Sequence, residues 1–212
     1  METSNTALPL GTVTRAYAAV APVYDWVFGW LLHRGRARAI QVLQLQPGQR
    51  VLEIGVGTGI SLPLYPREVR IHGVDISRDM LEKEKRRVAR HRLTNVESLR
   101  VMDAHALEYP EATFDAVVAM YTITVVDDPW RVANEMRRVC KPKGRVVFVN
   151  HFRATTWYHA LWDRVARPAH RVVHCRADLD MSEFLQRTGL RPIVCQRVNI
   201  FGYSTLLCCL NE

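Results

Sequence analysis

From residue 49 onward, short apolar runs alternate with amphipathic stretches, and turn or capping residues mark each switch. Arg50–Ile54 reads as a short buried strand and residues 69–74 as a second. Ser77 reads as an N-cap. Met80, Leu81 and Val88 then share one face of a helix running to about residue 92, and the charged residues 82–87 between them are expected mostly to face solvent. Val96–Val101 and Phe114–Met120 read as the third and fourth strands. Pro129 opens a helix over residues 130–139, and Pro142 and Gly144 break the chain before a fifth strand at 145–150. Residues 178–187 read as a helix stopped by Gly189, followed by closing strands at 191–200 and 203–210.

Strands that alternate with helices predict an α/β fold, a mostly parallel sheet with helices on both faces. Its 212 residues suit one domain. That domain divides into an N-terminal helical lid or membrane-contact segment (1–45), a core (46–150), a basic aromatic cap insertion (151–177) and a closing helix with strands (178–212). Ligands of such sheets bind beyond the carboxyl ends of the strands. Residues 53–59, Asp75, Asp103, Tyr121, Asn150 and His151 each end or follow a predicted strand, so they line one rim.

Gly55, Gly57 and Gly59 follow the first strand directly. Glycine permits a tight turn and close backbone approach to a ligand. The spacing is GxGxG, not the GxGxxG that seats a pyrophosphate on a helix N-terminus. S-adenosylmethionine has no phosphate but carries an α-amino group, and Glu53 at the strand end offers a carboxylate for it. Asp75 can accept from the ribose hydroxyls and Asp103 from the adenine amino group. The alternative is that both aspartates cap the following helices, and the two roles are compatible.

In order, LEIGVGTG, GVDIS, MDAHAL, FDAVVAMYTITVVDDP and VCKPKGRVVFVNHF resemble the motifs of class I S-adenosylmethionine-dependent methyltransferases over residues 45–150. The resemblance implies a Rossmann-like seven-stranded sheet whose last strand is antiparallel. It implies Glu53 and Gly55 near the methionine moiety, Asp75 on the ribose and Asp103 on the adenine; Gly57, Ile76, Ala104 and Met120 complete the expected cofactor site, and Tyr17 is expected to close over it.

Charge and composition bear on the acceptor. The net charge is +8, which favours an anionic partner. The loop after the fourth strand, Met120-Tyr-Thr-Ile-Thr124, lacks the Asn/Asp-Pro-Pro-Tyr of amino-methylating nucleic-acid enzymes, which speaks against nucleic acid. Residues 12–38 combine Tyr17, Tyr24, Trp26, Phe28 and Trp30 with Arg34, Arg36 and Arg38, a pattern suited to an anionic membrane interface or to a lid that packs on the domain. Residues 151–177 are likewise aromatic and basic, with Asp163 their sole acid. The five cysteines lack metal or redox spacing and read as small hydrophobes in a reducing compartment. His170 and His174 lack a third ligand, so no metal is expected. No secretory signal or membrane-spanning run is evident, so the expectation is a cytoplasmic monomer, peripheral on the inner face of the cell membrane.

Residues 20–29, 57–65 and 150–152 further resemble the soluble bacterial phosphatidylethanolamine N-methyltransferases. The Tyr-Asp pair at 24–25 is shared with the ubiquinone/menaquinone C-methyltransferases. The first resemblance implies a phospholipid substrate methylated stepwise to phosphatidylcholine. Tyr24, Tyr121 and His151 are then the candidate catalytic residues, with Asn150 and Arg153 on the substrate. A quinone precursor or another small molecule is the alternative acceptor, and a non-catalytic membrane- or RNA-binding module the alternative of another class.

Overall fold

The computed structural model describes residues 31–152, 179–199 and 202–212. In chain order its elements are α1 (His33–Leu43), β1 (Arg50–Ile54), β2 (Arg70–Asp75), α2 (Arg78–His91), β3 (Val96–Val101), β4 (Phe114–Met120), α3 (Pro129–Val139), β5 (Cys140–Asn150), α4 (Met181–Thr188), β6 (Pro192–Val198) and β7 (Ser204–Leu210). The strands form a seven-stranded sheet in the order β3-β2-β1-β4-β5-β7-β6. The first five strands pair in parallel, and β7 runs antiparallel to both neighbours. The sheet is therefore the Rossmann-like, seven-stranded, mostly parallel one expected from the sequence. Its strand order reverses between β1 and β4, which opens a crevice at their carboxyl ends.

Strand alternation assigns side chains to the two faces. Leu52, Ile54, Val117, Ala119, Val146, Phe148 and Leu207 pack with Val132 and Met136 of α3 and Phe184 of α4. Val51, Ile71, Val118, Val147, Val149 and Leu206 pack with Ala39, Ile40 and Leu43 of α1 and Leu81 of α2. Cys140, Cys208 and Cys209 are buried free thiols, and burial pushes Cys140 and Cys209 up to about 12. They pack as small hydrophobes; Cys195 is exposed, and Cys175 lies outside the described residues.

Capping follows local chemistry. The Ser77 hydroxyl accepts from Met80 N–H, and the Asp128 and Asp180 carboxylates accept from first-turn N–H groups of α3 and α4. Gly189 ends α4 in the left-handed conformation.

One expectation needs correction. Pro142 and Gly144 do not separate β5 from the preceding helix. The strand starts at Cys140, and the irregularity is absorbed as a register shift between the pairs Phe114–Cys140 and Ala116–Arg145. Residues 82–87 mostly face solvent, as expected, but Glu84 among them is fully buried. It falls on the Met80–Leu81–Val88 face, beneath the glycine loop. Neither of its oxygens has a hydrogen-bond partner among the described residues. Burial, aided by the Glu53 and Asp75 carboxylates, raises its pKa to about 9.

Glu84 therefore binds a proton in the folded chain across a pH range where the unfolded chain has lost it. Its contribution to stability is present below the ordinary carboxyl pKa and fades as pH rises toward about 9. The isosteric Glu84→Gln substitution removes this dependence. Its urea midpoint is expected to gain on wild type steadily between about pH 5 and pH 8. A difference that stays constant across that range would show that Glu84 does not titrate in this way.

Candidate active site

The loop after β1 is held from several sides. Gly55 and Val56 N–H groups donate to the Val74 carbonyl at 2.8 and 3.1 Å, and Arg87 Nε donates to the Thr58 carbonyl at 2.8 Å. The glycines differ in what they require. All three have positive φ, at 65°, 59° and 72°. A Cβ on Gly55 would lie 2.3 Å from Thr122 Oγ1, and one on Gly59 2.8 Å from Glu84 Cγ. A Cβ on Gly57 would meet nothing closer than the Gly55 carbonyl at 4.0 Å. Gly55 and Gly59 thus serve packing, whereas Gly57 leaves bare backbone toward open space. That is the approach a ligand needs.

The strand-end carboxylates shape this loop. Asp75 Oδ2 accepts from Gly57 N–H at 2.8 Å, and Oδ1 accepts from Ser77 N–H at 2.9 Å. Asp75 therefore ties the glycine loop to the start of α2, and burial raises its pKa. Ile76 N–H bonds the same carboxylate, which leaves one of its roughly four lone-pair sites for a ribose hydroxyl. Glu53 is 3% exposed; Oε1 accepts from Ser61 Oγ at 2.5 Å and Oε2 from Tyr65 Oη at 2.8 Å. Burial raises its pKa to about 7, against the opposing pull of those hydroxyls and Arg36.

Asp103 sits differently, about half exposed, with Oδ1 accepting from His105 N–H at 2.9 Å and lying 2.7 Å from His105 Nδ1. It caps a turn and not a helix, and Ala104 beside it is partly buried. Ile76 is 47% exposed, an unusual state for isoleucine at a strand end, and it suits packing against a flat base. Met120 is buried. A bare loop backbone, buried carboxylates and an exposed apolar residue together fit a nucleoside joined to an amino acid.

Beyond the carboxyl end of β4, Tyr121 has φ 62°, a strained conformation for a bulky residue. Its hydroxyl donates to the Leu32 carbonyl at 3.3 Å, and the Arg36 guanidinium stacks 5.2 Å from its ring centroid. Arg36 is therefore turned inward, to Tyr121 and toward Glu53, instead of outward to a membrane. Arg38 bonds Gln196 and Gln41, while Arg34 is exposed. His151 follows β5, its ring 6.2 Å from that of Tyr121 and 4.2 Å from that of Tyr203. Asn150 is fully buried, not open on the rim; Thr124 Oγ1 donates to its Oδ1 at 3.4 Å, and its Nδ2 has no acceptor among the described residues. Tyr17, Tyr24, Arg153 and the histidines at 170 and 174 lie outside the described residues. Among those described, no cluster of potential metal ligands occurs.

Ser61, Tyr65, Thr122 and Glu84 support this site without having been expected. Only Glu84 carried a local signal, its spacing from Met80, Leu81 and Val88.

Comparison with known proteins places these residues in a family. A methyltransferase-domain model matches residues 52–148. A phosphatidylethanolamine N-methyltransferase of Cereibacter sphaeroides is 46% identical over 68% of this chain and 70% of its own. A ubiquinone/menaquinone biosynthesis C-methyltransferase of Geobacter sulfurreducens is 32% identical over 63% of this chain, and the match spans 55% of that relative. A solved S-adenosylmethionine-dependent methyltransferase of Thermotoga maritima superposes with a TM-score of 0.70 at 19% identity, covering 93% of this chain and 99% of that one. The loop, the carboxylates and these matches agree: the chain belongs to the S-adenosylmethionine-dependent methyltransferases, and S-adenosylmethionine is its cofactor.

Proposed function

We propose that the chain methylates the amine of phosphatidylethanolamine in up to three rounds, giving the mono- and dimethyl lipids and then phosphatidylcholine. The observation that carries this reading is the 46% identity to the phosphatidylethanolamine N-methyltransferase of Cereibacter sphaeroides. The second reading, a quinone-precursor methyltransferase, rests on relatives of lower identity and shorter coverage.

When bound, S-adenosylmethionine supplies a methyl group on a sulfonium centre. Glu53 would hold its amino group, Asp75 the ribose, and Asp103, Ile76 and Ala104 the base, with Gly57 giving backbone access, Gly55 letting the loop pack against Thr122, Met120 lining the pocket and Tyr17 closing over it. The other residues deliver an acceptor. An ammonium has no lone pair, so the amine must lose a proton before it reacts. His151 accepts that proton. Rings of Tyr24 and Tyr121 favour the increasingly methylated cation. Arg153 binds the phosphodiester by paired hydrogen bonds. Asn150, buried beneath the rim, supports it through Thr124 instead of touching the substrate. Proximity of amine and donor is the largest contribution asked of the protein.

The site works at a membrane face. No helix among the described residues is long and apolar enough to cross a bilayer. The +8 net charge instead suits a monomer resting on an anionic cytoplasmic surface.

Labelled methyl transfer distinguishes the readings. Label is expected in ethanolamine lipid vesicles and not in quinone precursors; label confined to the quinone fraction would overturn the proposal. Asp75→Ala removes the ribose contact and unties Gly57, so affinity for S-adenosylmethionine should fall at least tenfold by calorimetry. Affinity within about twofold of wild type would remove Asp75 from the site. Glu53 ionises only above about pH 7, so wild-type affinity for the cofactor ammonium should weaken as pH falls below that value. Glu53→Gln should bind more weakly and lose this pH dependence; the same pH dependence in both proteins would exclude Glu53.

A further inference from the structure

The turn between β6 and β7 contributes a side chain that joins three elements of the rim. Asn199 has φ 67°, in the left-handed region that asparagine tolerates. Its Oδ1 accepts from the Gly35 N–H at 2.7 Å, and its Nδ2 donates to the Tyr121 hydroxyl and to Ser204 Oγ, both at 2.9 Å.

Each bond has a reason to exist. Gly35 lies in the first turn of α1, where N–H groups have no acceptor within the helix. The residue at the cap, Leu32, has no side chain able to supply one. Asn199 supplies it from 164 residues away. The contact needs glycine, since a Cβ at position 35 would lie 2.2 Å from the Tyr121 hydroxyl and 2.7 Å from Asn199 Oδ1. The Tyr121 hydroxyl gives its hydrogen to Leu32 and accepts from Asn199, so its orientation is determined at both ends.

The third bond reaches His151. Ser204 Oγ lies 3.1 Å from His151 Nδ1, which is also 3.3 Å from the Tyr203 carbonyl. A carbonyl only accepts, so this contact requires the hydrogen on Nδ1. Ser204 Oγ has two lone pairs and can accept from both Asn199 and His151. The imidazole lone pair is then on Nε2.

We infer that Asn199 is a positioning residue for methyl transfer. It holds the start of α1 and the Tyr121 hydroxyl in place and, through Ser204, supports the His151 tautomer whose Nε2 takes the proton of the acceptor amine. This rests on His151 as the proton acceptor, but the tautomer is measurable without any acceptor.

Asn199→Gly keeps the left-handed backbone and deletes the side chain. Asn199→Asp keeps the acceptor for Gly35 and withdraws both donors, and it serves if the glycine variant does not fold. With histidine labelled in its ring nitrogens, wild type at about pH 8, above the ordinary imidazole range, should show His151 as the Nδ1–H tautomer by NMR. Asn199→Gly should show a mixture, a kcat at least tenfold lower on whichever acceptor wild type methylates, and a cofactor Kd within twofold. The aspartate variant should lose kcat alike with Kd unchanged. An Nε2–H tautomer in wild type would overturn the inference. So would a variant kcat within twofold of wild type, or parallel losses of kcat and cofactor affinity with the tautomer unmoved. Failure of wild type to methylate ethanolamine lipid, with the tautomer as expected, would overturn the acceptor assignment alone.

Discussion

The hydrogen bond from Gly57 N–H to the Asp75 carboxylate, 2.8 Å long, is the contact on which the rest of the site depends. It joins the loop after β1 to the end of β2. The same carboxylate orders the start of α2 through Ser77. A loop with three left-handed glycines has many alternatives in the unfolded chain, and fixing it requires partners on several sides. Val74, Asp75, Thr122 and Arg87 supply them. The arrangement concentrates acid: Glu53, Asp75 and Glu84 are close enough that the first two raise the pKa of the third. The region accommodates this by keeping Glu84 protonated and by surrounding Glu53 with two hydroxyls and an arginine. The site thus favours a ligand that brings an ammonium and hydroxyl donors, and disfavours a phosphate.

The opposite side of the crevice is built differently. There the rim residues are joined by neutral hydrogen bonds from Gly35 to His151, and Arg36 lies between the two halves, over Tyr121 and toward Glu53. The proposed acceptor amine, set beside these uncharged partners and the Arg36 guanidinium, would be favoured over its ammonium form.

Much of the fold was legible because buried parallel strands read as apolar runs and their ends carry turn residues, as at Arg50–Ile54 and Phe114–Met120. The glycine loop and its carboxylates were legible for the same reason, since each follows a strand directly. Glu84 was not singled out from the charged residues 82–87, although the helical period places it inward. Pro142 and Gly144 suggested a break where neighbouring strands accommodate a bulge. Asn199 had no local signal, because its partners at 35 and 121 are distant in sequence and meet only through the topology. Arg36 was grouped with its exposed neighbours, although one helical turn can present Arg34 outward and Arg36 inward.

On the proposed function, donor and lipid amine meet on this rim. Lipid mass spectrometry tests it most directly, in a host that makes no phosphatidylcholine and expresses this chain. Mono-, di- and trimethylated ethanolamine lipids are expected with wild type and far less of them with Asp75→Ala. An unchanged lipid profile from folded, cofactor-binding protein would contradict it.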